Sequence, residues 1–342
     1  MKHIVITIAL AFLCFLAQAQ IKVETVSEQE LSSDYLHYLR HGQYIGNNTV
    51  LRVSKGQFVK IELPTNKGTE LATGFDPKVY YIPLSENGNY FMAQSEMKFY
   101  KNEDSKLILV ADVDTELRKS GYAPQPEVFI TTSRLNTGSD FFAFSFFTFD
   151  STNLCGPRPF FDYPEFGLFN LKTGKLSFLG KRAAPRNKAI FYAGTITYND
   201  ADKKRFLTAS YGSLTISAYN TKGKLRAQSS LPDSIKNEYR MIDQIPRSKY
   251  KDLRFFETSK IIQWQEIGDY YRVENLIRLN DDLISLRITN GAKLVYLIFD
   301  NDLRFKGQFE EPYISNEVAY HNGDITTFMS RYENKIKTVR IK

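Results

Sequence analysis

From about Tyr44 to Lys342 apolar side chains recur at every second position, and short polar turns separate the runs. That is the pattern of strands, and few stretches carry a helical period. The clearest run is Phe141-Phe142-Ala143-Phe144-Ser145-Phe146-Phe147-Thr148-Phe149. Alternation puts Phe141, Ala143, Ser145, Phe147 and Phe149 on one face, and Phe142, Phe144, Phe146 and Thr148 on the other. Both faces are apolar, so this strand needs cover on both sides, as an inner strand between two neighbouring sheets has. Exposed, it would be an aggregation hazard. Leu294-Val295-Tyr296-Leu297-Ile298-Phe299 makes the same demand.

Polar turns recur at Asn66-Lys67-Gly68, Asn102-Glu103-Asp104, Lys172-Thr173-Gly174-Lys175, Thr221-Lys222-Gly223-Lys224 and Asp300-Asn301-Asp302, with a late one at Tyr332-Glu333-Asn334-Lys335. Gly68, Asp104, Gly174, Gly223 and Asp302 are spaced by 36, 70, 49 and 79 residues. Those gaps read as one, two, one and two units of roughly 35 to 50 residues, the period of propeller blades. Gly167 to Leu176 and Thr215 to Leu225 each read as strand, glycine turn, strand. The expected fold is all-β: one β-propeller of six blades, with seven as the variant. A long sandwich or two β domains are the competing architectures.

Two stretches depart from this pattern. Val26 to Leu39 places Leu31, Tyr35, Leu36 and Leu39 at helical spacing, which predicts a short helical or irregular arm ahead of the first blade. Between Pro232 and Tyr250 the chain turns polar, with Asp233-Ser234 as a cap and Ile235, Tyr239 and Ile242 near helical spacing. This predicts a helical or loop insertion between blades.

Lys204 to Leu225 contains Ile216-Ser217-Ala218-Tyr219-Asn220-Thr221-Lys222-Gly223-Lys224. The run resembles the secreted bacterial TolB-like six-bladed β-propellers, in which a strand leads into an I-x-x-Y-D/N-x-x-G-K hairpin. Tyr163-Pro164-Glu165 and the strand Phe191 to Ile196 fit that resemblance. It implies a fold, and no reaction or catalytic residue.

The N-terminus reads as an export leader. Lys2 and His3 precede an apolar run from Ile4 to Leu16, and Ala17-Gln18-Ala19 supplies a small-x-small cleavage site before Gln20. The run is too short for a bilayer span, which needs ~20 residues. A lipid anchor on Cys14 is disfavoured, because bulky Phe12 and Leu13 precede it. The expected organisation is a signal peptide over 1–19, an arm over 20–43 and a propeller over 44–342, exported to the periplasm or the exterior.

Without Lys2, 44 basic residues face 38 acidic ones, a mild excess with no basic stripe, so no nucleic-acid partner is expected. Cys155 is the one cysteine beyond the leader, so no intramolecular disulfide can form and the fold rests on its core.

Catalytic motifs are thin, and the chain implies no cofactor and no metal. His37 and His41 have metal-ligand spacing but lack the glutamate of a zinc hydrolase. Asp76-Pro77-Lys78-Val79-Tyr80-Tyr81 resembles the start of furanosidase propellers, though an Asx-Pro turn explains it too. Asp300-Asn301-Asp302 lacks the remainder of a calcium loop. The most unusual segment is Asp150 to Gly167, with three prolines, Cys155 and several aromatics between two strands. Binding function concentrates on such loops, and Arg158, Phe160, Phe161 and Tyr163 are its candidate contacts. The aromatics could equally plug the end of a blade. The expected role is a binding or scaffolding module for an envelope protein or glycan. A carbohydrate-active hydrolase with carboxylates at the central channel is the alternative, and a structural subunit of an envelope complex is a third.

Overall fold

The computed structural model describes residues 21–30, 42–46, 49–54, 56–62, 67–84, 89–104, 106–122, 128–131, 140–148, 163–181, 195–200, 203–210, 212–241, 244, 270–312, 316–330 and 335–342. These residues form six four-stranded antiparallel sheets. Blade 1 holds β2 (Gly42–Gly46), β3 (Thr49–Ser54), β4 (Gln57–Glu62) and β5 (Lys67–Thr73). Blade 2 holds β6 (Tyr81–Pro83), β7 (Tyr90–Ala93), β8 (Lys98–Glu103) and β9 (Lys106–Asp112). Blade 3 holds β10 (Val128–Thr131), β11 (Phe141–Thr148), β12 (Pro164–Asn170) and β13 (Leu176–Lys181). Blade 4 holds β14 (Thr195–Asp200), β15 (Arg205–Ser210), β16 (Ile216–Asn220) and β17 (Leu225–Gln228). Blade 5 holds β18 (Arg272–Arg278), β19 (Leu283–Thr289), β20 (Lys293–Asp300) and β21 (Phe305–Pro312). Blade 6 holds β22 (Asn316–Asn322), β23 (Ile325–Ser330) and β24 (Lys335–Ile341), and its fourth strand is β1 (Val23–Glu30) from the other end of the chain.

Each blade packs a face on the next. Phe58 and Phe91 meet between blades 1 and 2, and Phe99 meets Phe142, Phe144 and Phe169 between blades 2 and 3. Phe166 packs on Phe206 between blades 3 and 4, Leu207 shares a cluster with Leu286 between 4 and 5, and Tyr296 packs on Phe328 between 5 and 6. β22 lies against β2, which closes the ring. The fold is a β-propeller. As its two apolar faces demand, β11 is covered on both sides: Phe142, Phe144 and Phe146 face blade 2 and Ala143 faces blade 4. Each buried phenylalanine contributes roughly 1.5–3 kcal/mol.

Side chains also bond one blade to the next blade's backbone. Asn199 of β14 accepts from the Ala143 N–H (2.7 Å) and donates to the Ala143 carbonyl (3.2 Å). Asn280 donates to the Ile341 carbonyl (3.2 Å), and Thr326 donates to the Leu279 carbonyl. The strongest such link joins blades 4 and 5. Asp200, 1% exposed, takes Arg278 Nη2 on both oxygens at 2.6 and 2.7 Å and Arg205 Nε at 2.7 Å. Arg278 Nε also donates to Asp200 (3.1 Å), and Nη1 donates to the Asp281 carbonyl (2.8 Å) and Asn301 Oδ1 (3.1 Å).

Five of the six outermost strands share one irregularity. Leu71, Val110, Arg226, Lys306 and Val26 are each an extra, unpaired residue in β5, β9, β17, β21 and β1. Such bulges twist an exposed edge away from pairing with another chain. β1 carries the bulge as well, so the N-terminal strand is built like the outer strands it joins.

Several expectations need correction. Val23–Glu30, expected as a helical or irregular arm, is a strand, because the edge of β24 offers its backbone a full ladder from Val23↔Ile341 to Glu30↔Lys335. The rest of that predicted stretch, 31–39, lies outside the described residues, as do the leader, His37, His41 and Cys155. The turn spacings of 70 and 79 residues each cover one blade rather than two, because long connections lengthen blades 3 and 5. Strand β12 begins at Pro164, so the connection ahead of it ends at Tyr163 rather than Gly167. The insertion after Pro232 does contain a helix, α2 (Asp233–Glu238), but Pro232 is its N-cap and no side chain caps it. A helix not expected, α1 (Val113–Lys119), follows β9 and is capped by Asp112, whose carboxylate accepts from the Thr115 N–H.

Removing one partner of a buried pair strands the other charge. Asp200→Asn is expected to cost about 3–5 kcal/mol in chemical denaturation. The double variant Asp200→Leu, Arg278→Met should recover most of that loss. A single variant as stable as wild type would show that the pair does not hold blades 4 and 5 together.

Candidate functional site

Antiparallel order decides which loops share a face. Successive strands reverse, so connections from first to second and from third to fourth strand lie on one face, here the turn face. Connections from second to third strand, and from each blade to the next, lie on the opposite, crossover face. The five polar turns from Gly68 to Asp302 all belong to the turn face, joining third to fourth strands. At one of them Gly223 adopts φ 75°, which favours glycine, and a Cβ there would lie 2.2 Å from a methyl of Leu179 in blade 3, which would have to move aside. No connection on the turn face is longer than 132–140, whereas the crossover face carries 113–127, 149–163, 182–194 and 229–271.

Of the candidate contacts, Arg158, Phe160 and Phe161 lie outside the described residues. Tyr163 is 2% exposed and sets its ring edge-on to Phe146 at 5.5 Å, within the blade 2–3 core. It anchors the end of the 149–163 connection, which is the plugging role that the sequence left open. Asp76 also lies on the crossover face, where its carboxylate accepts from the Lys78 N–H at 2.9 Å, as in an Asx turn.

Two polar clusters on this face were not legible as sites. In blade 2, Tyr81 packs edge-on to Tyr100 (5.9 Å), whose hydroxyl donates to Glu96 (3.0 Å), and Lys98 pairs with the same carboxylate (3.5 Å). In blade 5, Tyr271 packs edge-on to Tyr239 (5.1 Å), whose hydroxyl donates to Glu310 (3.5 Å), and Lys293 pairs with that carboxylate (3.0 Å). Burial first, and then the neighbouring carboxylates, push the Tyr100 and Tyr239 phenols above their ordinary range, so both remain proton donors.

Other carboxylates are committed elsewhere. Asp200 sits between two arginines, and Glu274, the bulged residue of β18, pairs with Arg287 at 2.9 Å. Among the described residues no group of three or more His, Cys, Asp or Glu could hold a metal ion. Asp300 is a turn residue: it accepts from the Asp302 and Arg304 N–H groups, both at 2.9 Å, and pairs with Lys306 at 3.3 Å.

No protein-family model matches the chain, and no curated protein matches it. Solved structures do match. A member of the DUF4221 family from Bacteroides vulgatus superposes with a TM-score of 0.57 at 10% identity, over 95% of this chain and 99% of that one. A Bacteroides thetaiotaomicron protein of unknown function gives 0.44 at 12% identity, over 94% of this chain and 76% of that one. Virginiamycin B lyase from Staphylococcus aureus gives 0.41 at 12% identity, over 94% and 99%. At such identities the likeness to the DUF4221 member speaks for the fold alone. No helix among the described residues is long and apolar enough to cross a membrane.

Tyr163→Ala is expected to lower stability by about 3–5 kcal/mol, as truncation of a buried aromatic does. An unchanged denaturation midpoint would remove Tyr163 from the core. At Asp300, burial raises the pKa, but the two N–H groups and Lys306 outweigh it and hold the carboxyl below its ordinary 3.8. A depressed folded-state pKa stabilises above the unfolded value and ceases to as pH falls through the folded one. Stability that Asp300→Ala lacks at pH 7 should therefore disappear from the wild type below about pH 4. A wild-type advantage that persisted at pH 2 would contradict this role.

Proposed function

We propose that this chain is an exported, non-catalytic recognition module, akin to the TolB-like propellers, which binds an envelope protein or glycan through its crossover face. The observation that supports the reading is the asymmetry between faces. One carries no connection longer than 132–140, and the other carries 113–127, 149–163, 182–194 and 229–271. Rigid scaffolds concentrate binding on such loops. The loop 149–163 is the proposed contact, with Arg158, Phe160 and Phe161 as its recognition residues and buried Tyr163 as its anchor. Arginine offers a planar fork of donors and the phenylalanines offer apolar area, the groups on which binding energy concentrates. Pro157 and Pro159 stiffen the loop and leave less entropy to lose on binding.

The test is capture from an envelope fraction beside a glycan array, with wild-type protein and three single variants. Arg158→Ala, Phe160→Ala and Phe161→Ala should each weaken binding by ~1–3 kcal/mol without moving the melting temperature. Undiminished capture by all three would leave this loop without a recognition role.

A further inference from the structure

The turns that join third to fourth strands differ in charge from blade to blade. Those of blades 2 and 5 mix signs, Glu103 and Asp104 with Lys106, and Asp300 and Asp302 with Arg304. In blade 1, Glu62 pairs with Lys67 across the same turn. In blades 3 and 4 the turns run Asn170-Leu171-Lys172-Thr173-Gly174-Lys175 and Asn220-Thr221-Lys222-Gly223-Lys224, with two lysines each and no acid. Asparagine does in them what Asp300 does in blade 5. Asn170 accepts from the Lys172 and Thr173 N–H groups (2.9 and 3.0 Å), and Asn220 from those of Lys222 and Lys224 (3.1 and 2.9 Å). A neutral acceptor shapes the turn and leaves its positive charge uncancelled.

The fold then draws these turns together. Arg205 pairs with Asn220, so Lys203 and Lys204, between β14 and β15, lie beside the Lys222–Lys224 turn of the same blade. That turn leans on blade 3, where Gly223 sits against Leu179 of β13, and β13 starts directly after Lys175. Lys175, Lys203, Lys204, Lys222 and Lys224 are exposed and make no ion pair among the described residues, while Lys172 pairs with Asp140 at 2.8 Å. Asp200 is buried between Arg205 and Arg278 and leaves no charge for the surface. Asp202, which precedes Lys203 in the chain, offsets one of the five charges at most. Leu225, directly after Lys224, is 45% exposed.

We propose that this corner of the turn face docks the protein on a membrane surface of anionic phospholipids. Lysine ammonium groups are hydrated point charges without arginine's fork, so they respond to charge density and not to the shape of one anion. A bilayer supplies that density as a plane, and the turn face has no connection longer than 132–140 to hold it off. Each lysine near an anionic surface strengthens association about fivefold. An exposed leucine among lysines suits headgroups lying over acyl chains, whereas an acidic polysaccharide in water gains nothing from it. Docking by the turn face leaves the crossover face turned away from the bilayer, so it neither uses nor requires the 149–163 loop.

Flotation of the purified protein with vesicles of phosphatidylcholine, alone or mixed with an equal part of phosphatidylglycerol, tests this. The wild type should float with the mixed vesicles only. It should be released between about 0.1 and about 1 M salt, as the Debye length falls from about 10 to about 3 Å. The Lys222→Gln, Lys224→Gln double variant should weaken partition about 25-fold, and Leu225→Ser about threefold, with melting temperatures unchanged. Lys98→Gln with Lys293→Gln removes the same charge from the crossover face and should stay within about twofold of the wild type. Arg158→Ala should float as the wild type does, which separates this docking from recognition by the loop. Equal flotation with both vesicles, or a Lys222→Gln, Lys224→Gln variant that floats like the wild type, overturns the proposal. Retention by a polygalacturonate gel without flotation also overturns it and assigns the lysines to an acidic polysaccharide.

Discussion

A sheet with two apolar faces cannot be left with one of them in water, and this constraint organises the molecule. Phe142, Phe144 and Phe146 look to one side of β11 while Ala143 looks to the other, and Phe166 and Phe169 divide the faces of β12 in the same way. A row of such sheets always ends in two uncovered faces. Bending the row into a ring removes both, and β22 meeting β2 is where this happens. Closure follows from burial, and the polar links between blades fix how neighbours sit. Asn199 on Ala143 and Asp200 on Arg278 act near the inner strands, and Asn280 on Ile341 ties a turn of blade 5 to the third strand of blade 6.

The seam is made differently from the rest. β1 keeps only Val23 partly buried and exposes its other side chains, so little apolar area holds it. Main-chain bonds to β24 and exposed pairs such as Glu28 with Lys335 do that work. Exposed pairs are weak, so the ladder is the main bond. Its side chains can therefore be almost any polar residues. For the same reason the segment did not read as a strand: alternation is a signature of burial, and β1 is scarcely buried.

The buried strands were legible because burial leaves that signature, and the turn face was legible because tight turns demand glycine, asparagine or aspartate. Blade count was harder to read. A spacing of 70 residues looks like two units when a blade's connections are as long as 149–163, and the prolines that mark such a connection do not say that it lies within one blade. α1 was missed because a single buried pair, Val113 and Leu117, is too little period to notice, although Asp112 is a proper cap. Tyr163 was readable as an aromatic in a loop, but whether it pointed in or out depended on Phe146, which only the folded blade supplies.

The tyrosine pairs show the same limit from the other side. Tyr80-Tyr81 and Tyr270-Tyr271 are visible in the chain, yet adjacency of like residues says nothing until cross-strand register makes the two pairs equivalent. In each pair the strand sends alternate side chains to opposite sides, so the second ring packs on the preceding blade while the first takes the other face of the sheet. Packing the second tyrosine therefore fixes the first. The innermost strands bring fixed positions to the crossover face, because Tyr81 and Tyr271 cannot shift without disturbing a blade interface.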